Sequence, residues 1–253
     1  MIRENIEWDI ARQEFLTSEP FNHVIIDDFW QADIADQLYA EFPKYDDDKV
    51  WNGVYANAIE NKKTCNFWDR FPKTTYKAFN FLGSDWLTDK IRFVSNRKDL
   101  SLDFGLHGGG WHAHANGGNL NLHLDYNIHP KLGEQRKLNI IIYMTPEWNN
   151  AWGGGLELWT HDPETKRPKT LDKLVDNVYN RAVIFDTTQN SWHGLPHEIQ
   201  CPEDKSRNSL AIYYLSEAQS GAEQHTKALF APTKEQEGDV QIYDFIKQRA
   251  GLK

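Results

Sequence analysis

Lys137-Leu-Asn-Ile-Ile-Ile-Tyr-Met-Thr-Pro146 is the strongest β-type run in the chain. Its Ile-Ile-Ile-Tyr centre favours a pleated strand, and Pro146 ends it. Alternation puts Asn139, Ile141 and Tyr143 on one face. Working outward, the same signal recurs at 102–106, 111–115, 119–125, 155–160, 182–186 and 209–215, around a central strand at 138–144. Gly, Asn, Asp and Pro separate these runs, and many short strands punctuated by turn residues predict an antiparallel sandwich or barrel. The charged segment 171–180 reads as a short helix or loop. Before residue 100 the pattern changes. Residues 1–20 suit a short polar helix ended near Pro20, and Phe21 to Phe29 is β-rich. Residues 31–42 carry Ile34, Leu38 and Phe42 in helical spacing. The stretch 45–59 reads as a polar loop, and 73–93 as one or two helices packed through Tyr76, Phe79, Phe81, Trp86 and Ile91. In the tail, 234–249, the helical spacing falls on Val240, Tyr243, Phe245 and Ile246. The expectation is one domain over 1–253, mainly β with flanking α-helices. It divides into an N-terminal strand with supporting helices (1–100), a β core (101–220) and a C-terminal helical tail (221–253).

A net charge of −9 makes the chain a poor electrostatic partner for nucleic acid, so small molecules and peptides are the expected substrates. Two cysteines, Cys65 and Cys201, are too few for a disulfide framework and lack zinc-site spacing. They suit reduced thiols in a cytoplasmic protein. The first fifteen residues are charged throughout, which predicts neither a signal peptide nor a membrane anchor. Gly153-Gly154-Gly155 lacks the lysine and the strand-to-helix setting of a phosphate loop. Oligomeric state has no signature in the sequence.

The run Asn121-Leu-His123-Leu-Asp125-Tyr126 carries the chemistry. On a strand, residues i and i+2 point the same way, so His123 and Asp125 converge while Leu122 and Leu124 face away. One imidazole and one carboxylate are two thirds of the facial triad of non-haem iron(II) oxygenases. The third ligand comes from a later histidine. His193 leads, since it follows the strand 181–186 and precedes Gly194, which permits close backbone approach. His197 is its main competitor, and His161 reads as part of a turn with Asp162-Pro163. His23, His107 and His225 read as ordinary surface or core residues. His112 and His114 share a strand face, as a second pair or as lining of the same cavity. A dicarboxylate cosubstrate needs a fixed cation, and an arginine fork binds a carboxylate bidentately. Arg207 opens the run Arg207-Asn-Ser-Leu-Ala-Ile-Tyr-Tyr-Leu215 and shares a face with Ser209, Ala211 and Tyr213; Leu210, Ile212 and Tyr214 take the other. Tyr143 could add a hydroxyl to the same carboxylate.

Taken in order, these pieces resemble the prolyl-hydroxylase-like branch of the 2-oxoglutarate and iron(II)-dependent dioxygenases, over roughly residues 20–230. The resemblance rests on Val24-Ile-Ile-Asp-Asp-Phe29 with its following helix, His123-Leu-Asp125, the strand through Tyr143 to Trp148, Gly154-Gly155-Leu156, His193, and Arg207-Asn-Ser209-Leu. It implies a double-stranded β-helix (a cupin-like jelly roll) with helices on one side. It also implies iron(II) on His123, Asp125 and His193, and 2-oxoglutarate on Arg207 and Tyr143 with Ser209 beside them. Ascorbate, molecular oxygen and a prolyl residue in a peptide complete the implied set, and Arg136 matches a position near the substrate in some relatives. Two departures stand out. The gap from His193 to Arg207 is longer than in many relatives, and Ala113 stands where some place a second tyrosine. Polar loops at 45–66 and 145–153 are the expected frame of the entrance. The other readings are a cupin-like metalloenzyme without 2-oxoglutarate, for which Arg207 is dispensable, and a non-catalytic jelly-roll binding module using Trp111, Trp148 and Trp152.

Overall fold

A computed structural model describes residues 1–222 and 225–251; the expected tail therefore has 223, 224, 252 and 253 outside the described residues. The strands are β1 (His23–Ile26), β2 (Gly53–Ala56), β3 (Glu60–Cys65), β4 (Ser101–Leu102), β5 (Gly110–His114), β6 (Asn119–Leu124) and β7 (Gln135–Tyr143). They continue with β8 (Leu156–Asp162), β9 (Arg167–Val175), β10 (Ala182–Asp186), β11 (Trp192–Leu195), β12 (Arg207–Ser216) and β13 (Leu229–Phe230). The helices are α1 (Trp8–Thr17), α2 (Ala32–Ala40), α3 (Lys73–Leu82), α4 (Asp85–Ser95) and α5 (Val240–Ala250). The strands form one curled sheet in the order β1-β10-β7-β12-β5-β3-β6-β11-β8-β9, with β2 on β3, β4 on β12 and β13 on β6. Each of these pairings is antiparallel. This is the jelly-roll architecture expected.

Period-two alternation decides which side of the sheet is core. Leu138, Ile140 and Ile142 of β7, Ala182 and Ile184 of β10, and Leu210, Ile212 and Tyr214 of β12 pack on one side. Phe15 of α1, Leu38 of α2, Phe79 and Leu82 of α3, and Leu87, Ile91 and Val94 of α4 meet them there. Each such side chain contributes about 1.5–3 kcal/mol on burial. The alternate residues of β7 and β12 face the inside of the curl, where a cavity of about 570 Å³ opens. Helices thus cover one face and leave the other for chemistry.

Several elements differ from the sequence reading. Residues 53–65 form the β2–β3 hairpin rather than a loop. Residues 167–175 pair with β8 as β9, so the segment from 171 enters a strand, not a helix. β3 and β9 are rich in charged residues and Thr, β9 as an exposed edge and β3 half-buried inside the sheet, and that composition erases the apolar alternation that marks a strand. Of 102–106 only Leu102 is in a strand; a turn follows, with Leu106 at φ 48°. Trp192–Leu195, which carries His193 and is not among the expected strands, is itself strand β11.

Candidate active site

His123 on β6 and His193 on β11 are direct cross-strand partners. Two residues on from His123, just past the end of β6, Asp125 turns to the same point. One ligand atom from each of the three lies within 4.8 Å of the others, a group able to hold a metal ion. Gly194 explains how the strands come close enough: a Cβ there would lie 2.7 Å from the Leu120 carbonyl oxygen and 2.9 Å from that of Asn121. The competitor His197 is not brought in. Its side chain is exposed, with Nε2 3.5 Å from Glu157. His161 accepts a hydrogen bond from the Trp192 indole, and His23 is buried beside the Phe21 carbonyl.

The ring orientations suit metal binding. His123 Nδ1 sits 2.9 Å from the Asn121 carbonyl, and His193 Nδ1 sits 2.8 Å from the Ser191 carbonyl. A carbonyl only accepts, so each Nδ1 carries the proton and each Nε2 presents a lone pair toward Asp125. The Nε2 atoms are 3.7 and 3.8 Å from the Asp125 oxygens. Burial pushes His193 down to about 4, with the neighbouring His123 adding to the shift, which keeps the imidazole neutral. Burial alone would raise Asp125, but its contacts with His123, His193 and Arg136 outweigh it and hold the carboxyl well below its usual range. Asn139 donates to Asp125 Oδ2 at 3.2 Å, Tyr213 donates to Oδ1 at 3.4 Å, and Arg136 lies 3.6 Å from Oδ1. The Arg136 guanidinium is sandwiched between Tyr126 and Tyr213, 3.4 and 3.2 Å from their ring centroids.

Arg207 lies in the same cavity and is almost fully buried. Its Nε donates to the Gly154 carbonyl at 2.6 Å, which fixes the plane of the fork. Gly154 has φ +80°, and a Cβ there would crowd Arg207 Cδ at 3.0 Å, so the turn needs glycine for both reasons. The Tyr143 ring is 4.9 Å from the guanidinium, and its buried hydroxyl has no hydrogen-bond partner among the described residues. Ser209 pairs with Tyr143 on one side and His112 on the other. An orphaned hydroxyl beside a buried cation fits a dicarboxylate end group.

His112 and His114 line this cavity rather than forming a second ligand pair, and so does His107. The Nε2 atoms of His112 and His114, and His114 Nδ1, are buried without partners among the described residues. The β2–β3 hairpin borders the cavity as expected for 45–66, but 145–153 does not line it. That loop packs on itself, with Trp148 donating to the Gly153 carbonyl and meeting Trp152 edge-on. Trp111 is in the core, so a recognition loop is not its setting. Sequence reasoning missed Lys62, Glu60, Asn139, Tyr126 and Tyr213 as cavity residues. Only the face shared by Asn139 with Tyr143, and by Tyr213 with Arg207, carried a signal for any of them.

Residues 109–215, essentially β5 to β12, match the 2OG-Fe(II) oxygenase superfamily. A curated relative, the mouse protein named prolyl 3-hydroxylase OGFOD1, is 30% identical over 81 residues, covering 32% of this chain and 14% of that protein. The matched stretch is thus a small part of that relative. Among solved structures, a prolyl-4-hydroxylase from Pseudomonas putida superposes with a TM-score of 0.56 at 15% identity, covering 83% of this chain and 100% of that one. The non-haem alpha-ketoglutarate-dependent carbocyclase SnoK of nogalamycin biosynthesis gives 0.58 at 11% identity, covering 94% and 91%. At such identities the likeness is one of fold, and it carries the jelly roll across enzymes of different named chemistry. The resemblance to the prolyl-hydroxylase-like branch is borne out.

Proposed function

We propose that the chain is an iron(II)- and 2-oxoglutarate-dependent dioxygenase that hydroxylates an unactivated C–H bond, with a prolyl residue of a peptide as target. The observation that carries this is the buried His123–Asp125–His193 cluster sharing one cavity with the buried Arg207. In this reading His123, Asp125 and His193 hold the iron, Arg207 and Tyr143 grip the distal carboxylate of 2-oxoglutarate, and Ser209 leaves room beside them. Bound iron would supply the oxygen chemistry that couples decarboxylation of 2-oxoglutarate to succinate with C–H hydroxylation.

The chain's own residues position and insulate. The Asn121 and Ser191 carbonyls hold the imidazole tautomers, and Asn139 and Tyr213 hold the Asp125 carboxylate. Phe230 stacks on His123 at 5.2 Å and narrows access for water. No side chain has to act as acid or base. The prolyl target rests on the mouse relative and the Pseudomonas enzyme, both named as prolyl hydroxylases. Ascorbate enters the proposal only as a reductant for the iron. Two buried free cysteines, Cys65 and Cys201, support a reducing, cytoplasmic setting. Among the described residues no helix is long and apolar enough to cross a membrane. We also read residues 1–253 as one domain, because β1, β2 and β3 belong to the same sheet as the later strands.

The test is incubation with iron(II), 2-oxoglutarate and prolyl peptides in air, with succinate and peptide mass followed together. Stoichiometric succinate and one added oxygen atom on proline is the expected result. Added oxygen elsewhere redirects the substrate class, and folded protein that forms no succinate with any of them counts against 2-oxoglutarate use. The cupin-like reading would then gain, with Arg207 reduced to a structural cation.

A further inference from the structure

The cavity is positive in a negative protein. Asp125 and Arg207 are taken by the iron and the cosubstrate in the reading above. The other full charges on the wall are Lys62, Arg136, Lys227 and Arg249 against Glu60, a remainder of four cations to one carboxylate, or +3. The whole chain carries −9. The reading itself adds no surplus of negative charge, since doubly charged 2-oxoglutarate balances iron(II), and Asp125 balances Arg207.

Two of these cations, Lys62 and Arg249, gather at one place. Glu60 of β3 is buried and already shared: Oε2 lies 3.3 Å from Lys62 Nζ, while Oε1 accepts from Arg249 Nε at 3.0 Å and from its terminal nitrogen at 2.9 Å. Lys62 and Arg249 also flank the ring of Tyr55, at 5.4 and 5.8 Å from its centroid. One carboxylate thus serves two cations, one from β3 and one from α5. Their mutual repulsion is poorly screened in a partly closed cavity. Behind them, His114 is nearly fully buried, with both ring nitrogens unpartnered among the described residues. It pairs across the sheet with Arg207, and Lys62, next along β3 from the Lys63–Ala113 pair, lines the same cavity. A buried, unsatisfied polar side chain flanked by cations marks a place for an anion.

We propose that the substrate carries a carboxylate, bound between Lys62 and Arg249 at the cavity wall while Arg207 holds the cosubstrate. This rests on the dioxygenase reading for the identity of the reaction, but its electrostatics stand on Lys62, Glu60, Arg249 and His114 alone. The carboxylate has two sources, an acidic side chain next to the prolyl residue of a peptide or the α-carboxylate of a free amino acid.

Four probes separate them: a capped prolyl peptide flanked by glutamates, its glutamine isostere, free L-proline and L-prolinamide. Their Kd values are measured by calorimetry, anaerobically with iron(II) and 2-oxoglutarate present and again on metal-free protein. We expect the carboxylate probe of one pair to bind roughly tenfold or more tightly than its amide partner. The acidic arm that shows the gap identifies the source. The gap closes in Lys62→Met and in Arg249→Met and shrinks as salt is raised on the unsubstituted protein, a measurement that needs no variant to fold. Equal Kd values within both pairs, or a gap that survives both substitutions, overturns the proposal. The visible charge-transfer band of the iron–2-oxoglutarate complex is recorded in the same samples. A band without a gap overturns the anion site alone, whereas a gap in protein that forms no band once iron(II) and 2-oxoglutarate are added upholds the anion site and overturns the dioxygenase reading.

Discussion

The two faces of β12 are made of alternating residues yet serve opposite ends. Leu210, Ile212 and Tyr214 enter the core under the helices, where the Tyr214 hydroxyl donates to the Leu82 carbonyl. Arg207, Ser209, Ala211 and Tyr213 line the cavity. The apolar face is satisfied by packing; the polar face holds a buried cation whose Nε donates to the Gly154 carbonyl, and it lies beside orphaned groups such as the Tyr143 hydroxyl. Stability and function are separated by a single residue of register. Substitutions on the two faces should therefore fail in different assays.

The largest effect expected is on the cavity face. Arg207→Met should weaken 2-oxoglutarate binding about a hundredfold, about 3 kcal/mol, by removing the fork from a desolvated charge pair. Iron uptake should persist, and the ligand-free protein should melt no lower, because a buried, sparsely bonded guanidinium costs desolvation. Calorimetry and thermal melts check this, and unchanged 2-oxoglutarate affinity would remove Arg207 from the site. On the other face, Ile212→Ala should cost about 2–3 kcal/mol of unfolding free energy by opening a cavity against Ile140. Its affinity for 2-oxoglutarate should stay within twofold, within the roughly 0.4 kcal/mol that twofold represents. Denaturant titration and calorimetry on the same samples show whether the faces are separable.

Acid should act through the cavity face. Burial, helped by the charges of Lys62 and Arg207, pushes His112 down to about 3. Burial, then Arg207 and Lys62, takes His114 well below its ordinary value. Both are neutral when folded, while the unfolded chain takes up their protons near 6.5. Their stabilisation is complete above that pH and declines as pH falls toward 3, by up to about 1.4 kcal/mol per pH unit per histidine. His112→Gln combined with His114→Gln should flatten this decline, and an unchanged slope would place the acid sensitivity elsewhere. The smallest effect expected is Gly154→Ala, which should strain the turn and shift Arg207, costing on the order of tenfold in 2-oxoglutarate affinity with metal binding intact.

Much of this contrast was legible in the sequence because β7 and β12 are buried on both sides. Their alternation separates Ile140 and Ile142 from Asn139 and Tyr143, and Ile212 from Ser209, before any coordinates. His123 and Asp125 announce themselves by spacing, and His193 by the glycine after it. What stayed hidden is polar or assembled from distant parts. β3, with the sequence Glu60-Asn-Lys-Lys-Thr-Cys65, is held by backbone ladder bonds and displays charged side chains, so it reads as loop. The exposed edge β9 misleads in the same way. Glu60 meets Arg249 from nearly the other end of the chain, and no local pattern encodes that pair. Asn139 and Tyr213 reach Asp125 because β7 and β12 pair in register, Tyr213 opposite Asn139, which spacing along one strand does not reveal. Trp111, an attractive recognition residue by type, is consumed by core packing against Phe42 and Phe71.

The central claim is that His123, Asp125 and His193 hold an iron to which 2-oxoglutarate binds. Anaerobic addition of iron(II) and then 2-oxoglutarate, with the visible spectrum recorded at each step, tests it most directly. The account expects a charge-transfer band that forms only with both present, saturates at one equivalent of iron, and is lost in Asp125→Ala and His193→Ala. Well-folded protein that shows no band with both ligands at saturating concentration, or a band that survives either substitution, would contradict it.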